Sequence, residues 1–413
     1  MPPAPPPPLS TVRGSAQLAF DACAGLTDTV ERMHETIARH PLPWTPRHST
    51  LEPGSATRAH GLIASTVYSL IRGTIRGCAK GVDLALGTLP QAGTATAMTS
   101  REIGTLAALN GVFGDHLEAT KNPLAIQMGP VENGCGIETT PAGLAAAYPD
   151  AGPHIVVLTH GLCHSERAWK RKGEPDIGSR LRETLGMTPV YLRYNSGRHI
   201  SANGRDLADL LERLCTAWPV PVESLSLLGH SMGGLVIRSA CWYGKQTERS
   251  WLRLLRRVAC LGTPHHGSPV ERAGHALEKT LNRIQYVEPL MRLGQRRSAG
   301  IKDLRHGNLL DEDWQGHGPE QATDDRRNGV PLPAGVAHFF AAASVGRHQR
   351  DIRGHLLGDW LVQLTSAVGD HADERKRLPV PREHCRVFHE KSHLDLLSDT
   401  EVHAQVIDWF ARG

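Results

Sequence analysis

Ser231 stands at the apex of Gly229-His230-Ser231-Met232-Gly233, a G-x-S-x-G set between the apolar run Leu225–Leu228 and a second apolar stretch of helical character. A strand, a very sharp turn and a helix in that order force strained dihedrals on the serine and hold its hydroxyl clear of the backbone. Glycine is needed at 229 and 233, where a Cβ collides across the turn. The chemistry this permits is acyl transfer, which needs a nucleophile, a base oriented by an acid, and donors for an oxyanion. The N–H of Met232 points at the same space, with the positive end of the helix dipole behind it. A second donor is expected from Leu162, in the loop His160-Gly161-Leu162-Cys163 that leaves an apolar strand. His160 itself reads as structural, holding that loop by a hydrogen bond.

The base is sought among His384, His389, His393 and His403. His393 falls in a loop between a short strand and the last helix, where a loop tip can lean over Ser231, and is preferred. His389 lies one residue past the strand, and His403 falls inside the final helix, on its surface. Asp359 is the preferred acid, with Asp351 and Asp370 as rivals. The order Ser231, Asp359, His393 is the one expected of a nucleophile elbow on a mostly parallel sheet.

The elements that must position these groups can be read from periodicity. From about residue 122, short apolar runs alternate with helical patterns, the mark of a mostly parallel sheet. Leu124 to Met128 reads as an opening strand, and His154–Thr159 as a buried one. Further strands are expected at Val190–Tyr194, Leu225–Leu228, Arg257–Leu261, Val336–Ala343 and Cys385–Phe388. Ile177, Leu181 and Leu185 mark a helix stopped at Gly186. Leu207, Leu210, Leu211 and Leu214 stripe another. Ser398 and Glu401 suggest a capping box for a final helix with Val402, Val406, Trp409 and Phe410 inward. Between Gly267 and about Pro333 lies a polar insertion with apolar side chains at Leu277, Leu281, Ile284, Leu290 and Leu293, more in keeping with function than with a spacer.

Ahead of the sheet, residues 1 to about 10 read as an extended proline tail. Three helical patterns follow: Leu26 to Ile37, Leu62 to Val82, and Ile103 to Leu117. Arg72, Arg76 and Lys80 recur at i, i+4 and i+8, either as a solvated face or as a strip for anionic lipid heads. The domain reading is therefore a tail and helical segment over 1–120 and a catalytic domain over 121–413, with the insertion at about 268–334.

Composition narrows the classes. The chain has 413 residues, 40% apolar and 21% charged, as in ordinary globular proteins. A formal net charge of +4 is too mild to imply nucleic acid. The eight cysteines are scattered without a CxxC, which reads as reduced thiols and an intracellular, cytoplasmic setting. The amino terminus lacks the apolar core of a signal peptide, and no apolar run approaches bilayer length. Histidines number 23, yet there is no H-E-x-x-H; adjacent His265 and His266 cannot easily face one ion, so no metal is implied. Neither a phosphate-cradling loop nor a dinucleotide fingerprint is present, so no cofactor is expected.

From about residue 122 onward the chain resembles the α/β-hydrolase superfamily, specifically the lipase and GPI-inositol-deacylase-like serine esterases of bacterial type. The resemblance rests on His160-Gly161-Leu162, Gly229-His230-Ser231-Met232-Gly233, Leu261-Gly262-Thr263-Pro264-His265-His266-Gly267-Ser268, Gly358-Asp359-x-Leu361-Val362 and the His393 loop. It implies hydrolysis of small-molecule or lipid esters through an acyl-enzyme, with the insertion as a lid. Trp360 departs from the small residue usual there and would crowd the acid or narrow the pocket. A thioesterase, amidase or acyltransferase uses the same parts, and a non-catalytic binding module is the alternative class. Peripheral membrane contact, if any, falls to the N-terminal helices.

Overall fold

The computed structural model describes residues 9–39, 56–87, 98–170, 175–268, 298–316, 327–346 and 362–412. Two compact units divide the chain, one of residues 1–96 with 117–124, the other of 97–116 with 125–413.

In the smaller unit, α1 (Leu9–Arg39) and α2 (Ala56–Gly87) pair along their length. Arg13 and Gln17 of α1 both donate to the Asp83 carboxylate of α2, each at 2.7 Å. Arg72 donates to Asp28 at 3.1 Å and also to Glu31. The first residue of the expected basic strip is thus spent on α1, while Arg76 and Lys80 are exposed. Among the described residues no helix is long and apolar enough to cross a membrane.

In the larger unit, eight strands form one sheet among the described residues: β1 (Gly129–Glu132), β2 (Cys135–Gly136), β3 (His154–Thr159), β4 (Thr188–Arg193), β5 (Ser224–His230), β6 (Leu255–Leu261), β7 (Ala337–Ser344) and β8 (Cys385–His389). Their order is β2-β1-β4-β3-β5-β6-β7-β8. β1 is antiparallel to both neighbours, and all pairs from β4 to β8 are parallel. Parallel pairing buries both faces, so alternate residues of one strand enter different cores. Ile155 and Val157 of β3 join Leu225 and Leu227 of β5 on one face, whereas Val156 and Leu158 join Leu228 on the other.

Helices cover both faces. α3 (Ser100–Ala119) and the short α4 (Pro141–Ala147) precede β3. α5 (Ile177–Leu185), with Ile177 and Leu181 buried, packs on the Val156 face. Gly186 stops it in the left-handed conformation at φ +65°, a conformation glycine adopts without strain. α6 (Ile200–Ala217) and α7 (Met232–Gln246) pack on the Val157 face. The helix after β3 and the helix after β5 therefore lie on opposite faces of adjacent strands. At such a switch point a crevice opens outside the carboxyl ends, the default ligand position in this class of sheet. Among the described residues the remaining α-helices are α8 (Ala299–His306), α9 (Leu364–Ala367) and α10 (Thr400–Arg412).

Three expectations are corrected. Leu124 to Met128 is not a strand: Asn122 Oδ1 takes the Leu124 N–H and Asn110 Oδ1 the Ile126 N–H, each at 2.9 Å, and pairing begins only at Gly129. Ser398 does not cap α10; Asp399 accepts the Glu401 N–H at 2.9 Å, and the Glu401 carboxylate is drawn to Arg386 at 2.8 Å. His403 is 3% exposed, not a surface residue, and its Nε2–H donates to Leu397 O at 3.0 Å. Val402, Val406, Trp409 and Phe410 are buried as expected. Leu277, Leu281, Ile284, Leu290 and Leu293 of the insertion lie outside the described residues, as do residues 1–8 of the proline tail.

Candidate active site

Ser231 joins β5 to α7 with φ +53° and ψ −123°, a region that costs a non-glycine residue about 1–3 kcal/mol. The surroundings enforce it. Its N–H donates to Leu261 O at 2.8 Å, and its own carbonyl accepts the Gly234 N–H at 3.1 Å. A Cβ on Gly229 would stand 2.6 Å from Gly234 N, and one on Gly233 would overlap the carbonyl oxygen of Thr159. The turn is thus pressed against the end of β3 as tightly as bare backbone allows. Serine at a helix N-cap ordinarily accepts a hydrogen bond from the first turn. Here it makes none, and Ser231 is partly exposed while Met232 to Cys241 are buried. Met232 opens the helix, so its N–H has no acceptor within it.

The loop after β3 meets the serine directly: a Cβ on Gly161 would lie 3.1 Å from Ser231 Cβ. His160 fixes this loop, as expected. Its Nε2 accepts the Tyr194 N–H at 3.3 Å, so the proton sits on Nδ1 and goes to Gly161 O at 2.9 Å. The Tyr194 hydroxyl donates to His160 O at 2.8 Å, and the two rings stack at 4.3 Å. Burial pulls the His160 pKa down to about 4, which keeps the ring neutral. Further along, Cys163 (φ +59°) donates its N–H to Ser196 Oγ at 3.0 Å, and the His164 N–H reaches Gly161 O at 3.2 Å. Leu162 lies between, 8% exposed.

The helical segment before the sheet contributes where sequence reasoning gave it no part. Gly111 of α3 sits against Cys163, where a Cβ would overlap the sulfur, and Gly114 sits likewise against the Asn195 amide. Ser298, at the start of α8, donates to Gly111 O at 2.7 Å. One end of the loop is thus held by α3 and, through it, by the return of the insertion. The available signal is two glycines three residues apart inside a helical pattern, a placement that usually has a packing reason.

A buried ion pair holds the other end. Arg193, the last residue of β4, donates through Nε to Glu166 Oε2 at 2.8 Å and through Nη2 to Oε1, with the two residues 9% and 4% exposed. Burial pushes the Glu166 pKa up, but the hydrogen bonds and charge of Arg193 outweigh it, and the net direction is down. The stability this contributes is present above the usual carboxylate range and lost as pH falls through the lowered value. Replacing Arg193 by Ala leaves a buried carboxylate alone, so Arg193→Ala is expected to cost about 3–5 kcal/mol in urea unfolding at pH 7. Adding Glu166→Gln to that variant should recover part of the loss.

His393 is 4% exposed and lies on Gly262, whose Cβ, if present, would be 2.9 Å from the ring Cε1 and Nδ1. Gly262 has φ +60° and follows Leu261, the residue that accepts the Ser231 N–H. Ser231 and His393 therefore flank the same two residues at the carboxyl end of β6. His164 has its pKa drawn down to about 4, by burial first and by the neighbouring His393 second. His384 Nδ1 donates to His338 O at 3.1 Å, and His389 closes β8 opposite Ser344.

Asp359, its rival Asp351 and the neighbouring Trp360 lie outside the described residues. The remaining rival, Asp370, is exposed and pairs with Arg377 at 3.1 Å. The Leu261–Ser268 stretch is structural at its far end: His265 is 1% exposed with its ring 4.2 Å from Phe340, and Ser366 Oγ both accepts the His266 N–H and donates to Gly267 O, each at 3.0 Å. Among the described residues no three His, Cys, Asp or Glu side chains gather as metal ligands.

Residues 155–316 match the family model of PGAP1-like α/β domains. The chain is also similar to a Bacillus licheniformis lipase in its mature form, at 18% identity and TM-score 0.38 over 62% of this chain and 93% of that one. For Aspergillus fumigatus lipase B the values are 11% and 0.38, over 63% and 54%. For the thioesterase of the prodiginine biosynthetic pathway in Streptomyces coelicolor they are 17% and 0.34, over 63% and 92%. No curated protein matches the chain. The larger unit has the α/β-hydrolase fold.

Proposed function

We propose that this α/β-hydrolase-fold protein is a serine hydrolase that cleaves carboxylic esters through an acyl-enzyme. The observation that carries the reading is the state of Ser231: held at positive φ, excused from capping its own helix, and partly exposed beside the Gly161 loop. In this reading the Ser231 Oγ attacks the acyl carbonyl while His393 takes its proton. The N–H groups of Leu162 and Met232 receive the oxyanion, and each such donor is worth about a hundred- to a thousand-fold in rate. His393 then gives the proton to the departing alkoxide, leaving an ester on Ser231. Water, deprotonated by the same imidazole, releases the acid and restores the serine. Asp359 orients the imidazole and stabilises its charged form. The same groups would serve a thioester or an amide, because the leaving group is not chosen by the triad. Apolar-chain esters are the favoured substrates, given the aliphatic residues of the insertion.

A fluorophosphonate probe tests this. The protein should be labelled stoichiometrically, with the adduct mapped by mass spectrometry to the peptide carrying Ser231. The same preparation should turn over p-nitrophenyl esters, assayed from acetate to palmitate. A folded protein that neither labels nor hydrolyses any of them is a binding module.

A further inference from the structure

His230, the residue before the nucleophile, has no role in the proton transfers above, yet it is wholly buried among the groups that perform them. Its Nε2 lies 3.1 Å from the carbonyl oxygen of His393, a contact across 163 positions of sequence. A carbonyl can only accept, so Nε2 must carry the hydrogen and Nδ1 must be bare. Nδ1 has no hydrogen-bond partner among the described residues, and a Cβ on Gly161 would stand 3.3 Å from it. The ring plane is fixed from the sides, with His393 at 4.7 Å and Trp169 and His164 edge-on at 6.3 Å. One imidazole therefore touches the serine turn it belongs to, the Gly161 loop and the backbone of the base.

We propose that His230 is a positioning residue: by donating Nε2–H to the His393 carbonyl it holds the loop of the base in register with Ser231. The role is specific to a donor of that reach. The start of the loop is tied to the end of β7, Glu390 N–H donating to Gly346 O and Lys391 N–H to Ser344 O, each at 3.2 Å, and Ser392 donates locally to Asp395 through N–H and Oγ, each at 2.7 Å; the His230 bond is the one of these that runs to the serine turn. Neutrality suits the task. Burial holds His230 uncharged, with His393 and His164 as further causes, so an imidazolium forming on His393 meets no fixed positive charge beside it.

The proposal rests on His393 being the base, and two readouts separate the two claims. In His230→Gln the side-chain amide reaches the place of Nε2 and keeps the donor; His230→Met keeps the length and loses it. For His230→Met, amide exchange over residues 390–397 should quicken about tenfold. Its kcat on a short p-nitrophenyl ester should fall at least about tenfold with KM little changed. His230→Gln should recover most of both. Unchanged exchange in a folded His230→Met, or equal damage in both variants at unchanged melting temperature, overturns the proposal. Faster exchange with unaltered kcat also overturns it as a positioning role. Should His230→Met not fold, His230→Asn, whose amide falls short of the Nε2 position, takes its place. A wild-type protein without turnover would sink the hydrolase reading instead, and the exchange comparison would still decide the hydrogen bond.

Discussion

Ser231→Ala and His393→Ala should each lower kcat/KM for p-nitrophenyl esters by about 10⁵- to 10⁶-fold, and the double variant should fall no further. The non-additivity follows from the mechanism. A serine hydroxyl without its base is a poor nucleophile, and the base without the hydroxyl has no proton to take. Removing either disables the same step, so removing the second costs nothing more. Residual turnover above the uncatalysed rate, about 10³- to 10⁴-fold, should survive in all three through the oxyanion donors and substrate binding. His389→Ala is the control, because His389 ends β8 opposite Ser344 and should leave turnover within a few-fold. Loss of activity in His389→Ala with normal activity in His393→Ala would transfer the role of base. Neither substitution at the site should cost much stability, and Ser231→Ala should retain the strained turn that Leu261 and Gly234 enforce.

Much of this site is legible in the sequence because parallel strands write themselves plainly. His154–Thr159 is apolar almost without interruption because both faces of β3 are covered, and its bounds are recovered to the residue. The elbow is legible for a steric reason: only glycine fits at 229 and 233. Partnerships over long separations are not written in the same way. The apolar run from Leu124 to Met128 has strand composition, but asparagine side chains on α3 and at its end satisfy its backbone before a strand can. His403 stands three residues before Val406 and seven before Phe410, on the buried face of α10, and it is its polar type rather than its spacing that suggests solvent; the carbonyl of Leu397 accepts its Nε2–H there. The docking of α3 on the Cys163 loop needs the absence of two methyl groups, at Gly111 and Gly114, and nothing in the periodicity of the helix says what will fill the space. His230 shows the same limit, since its partner lies 163 residues away.

Asp359→Asn should lower kcat by about 10⁴-fold, because an amide cannot stabilise the imidazolium and favours the wrong tautomer of the base. Asp359 is preferred for its place in the chain, between the strand that follows the insertion and the strand that precedes His393. In folds of this type the acid follows the strand after the insertion, here β7, which ends at Ser344 beside His389 of β8. Among described carboxylates after β7, Asp395 is taken by Ser392, Asp399 by Lys391 and the backbone of Glu401, and Asp370 by Arg377. The chain between Gly346 and Val362 offers only two acids, Asp351 and Asp359. Asp359 stands three residues before Val362, which is buried against Ala342 of β7. The Asp351→Asn and Asp370→Asn variants should therefore keep turnover within a few-fold of wild type, and the pH profile of kcat/KM should hold its shape in both. In Asp359→Asn the fluorophosphonate rate should fall in step with kcat, since both begin with the same proton transfer. A full loss at Asp351 with Asp359 neutral would move the acid by eight residues and leave Ser231 and His393 as they stand.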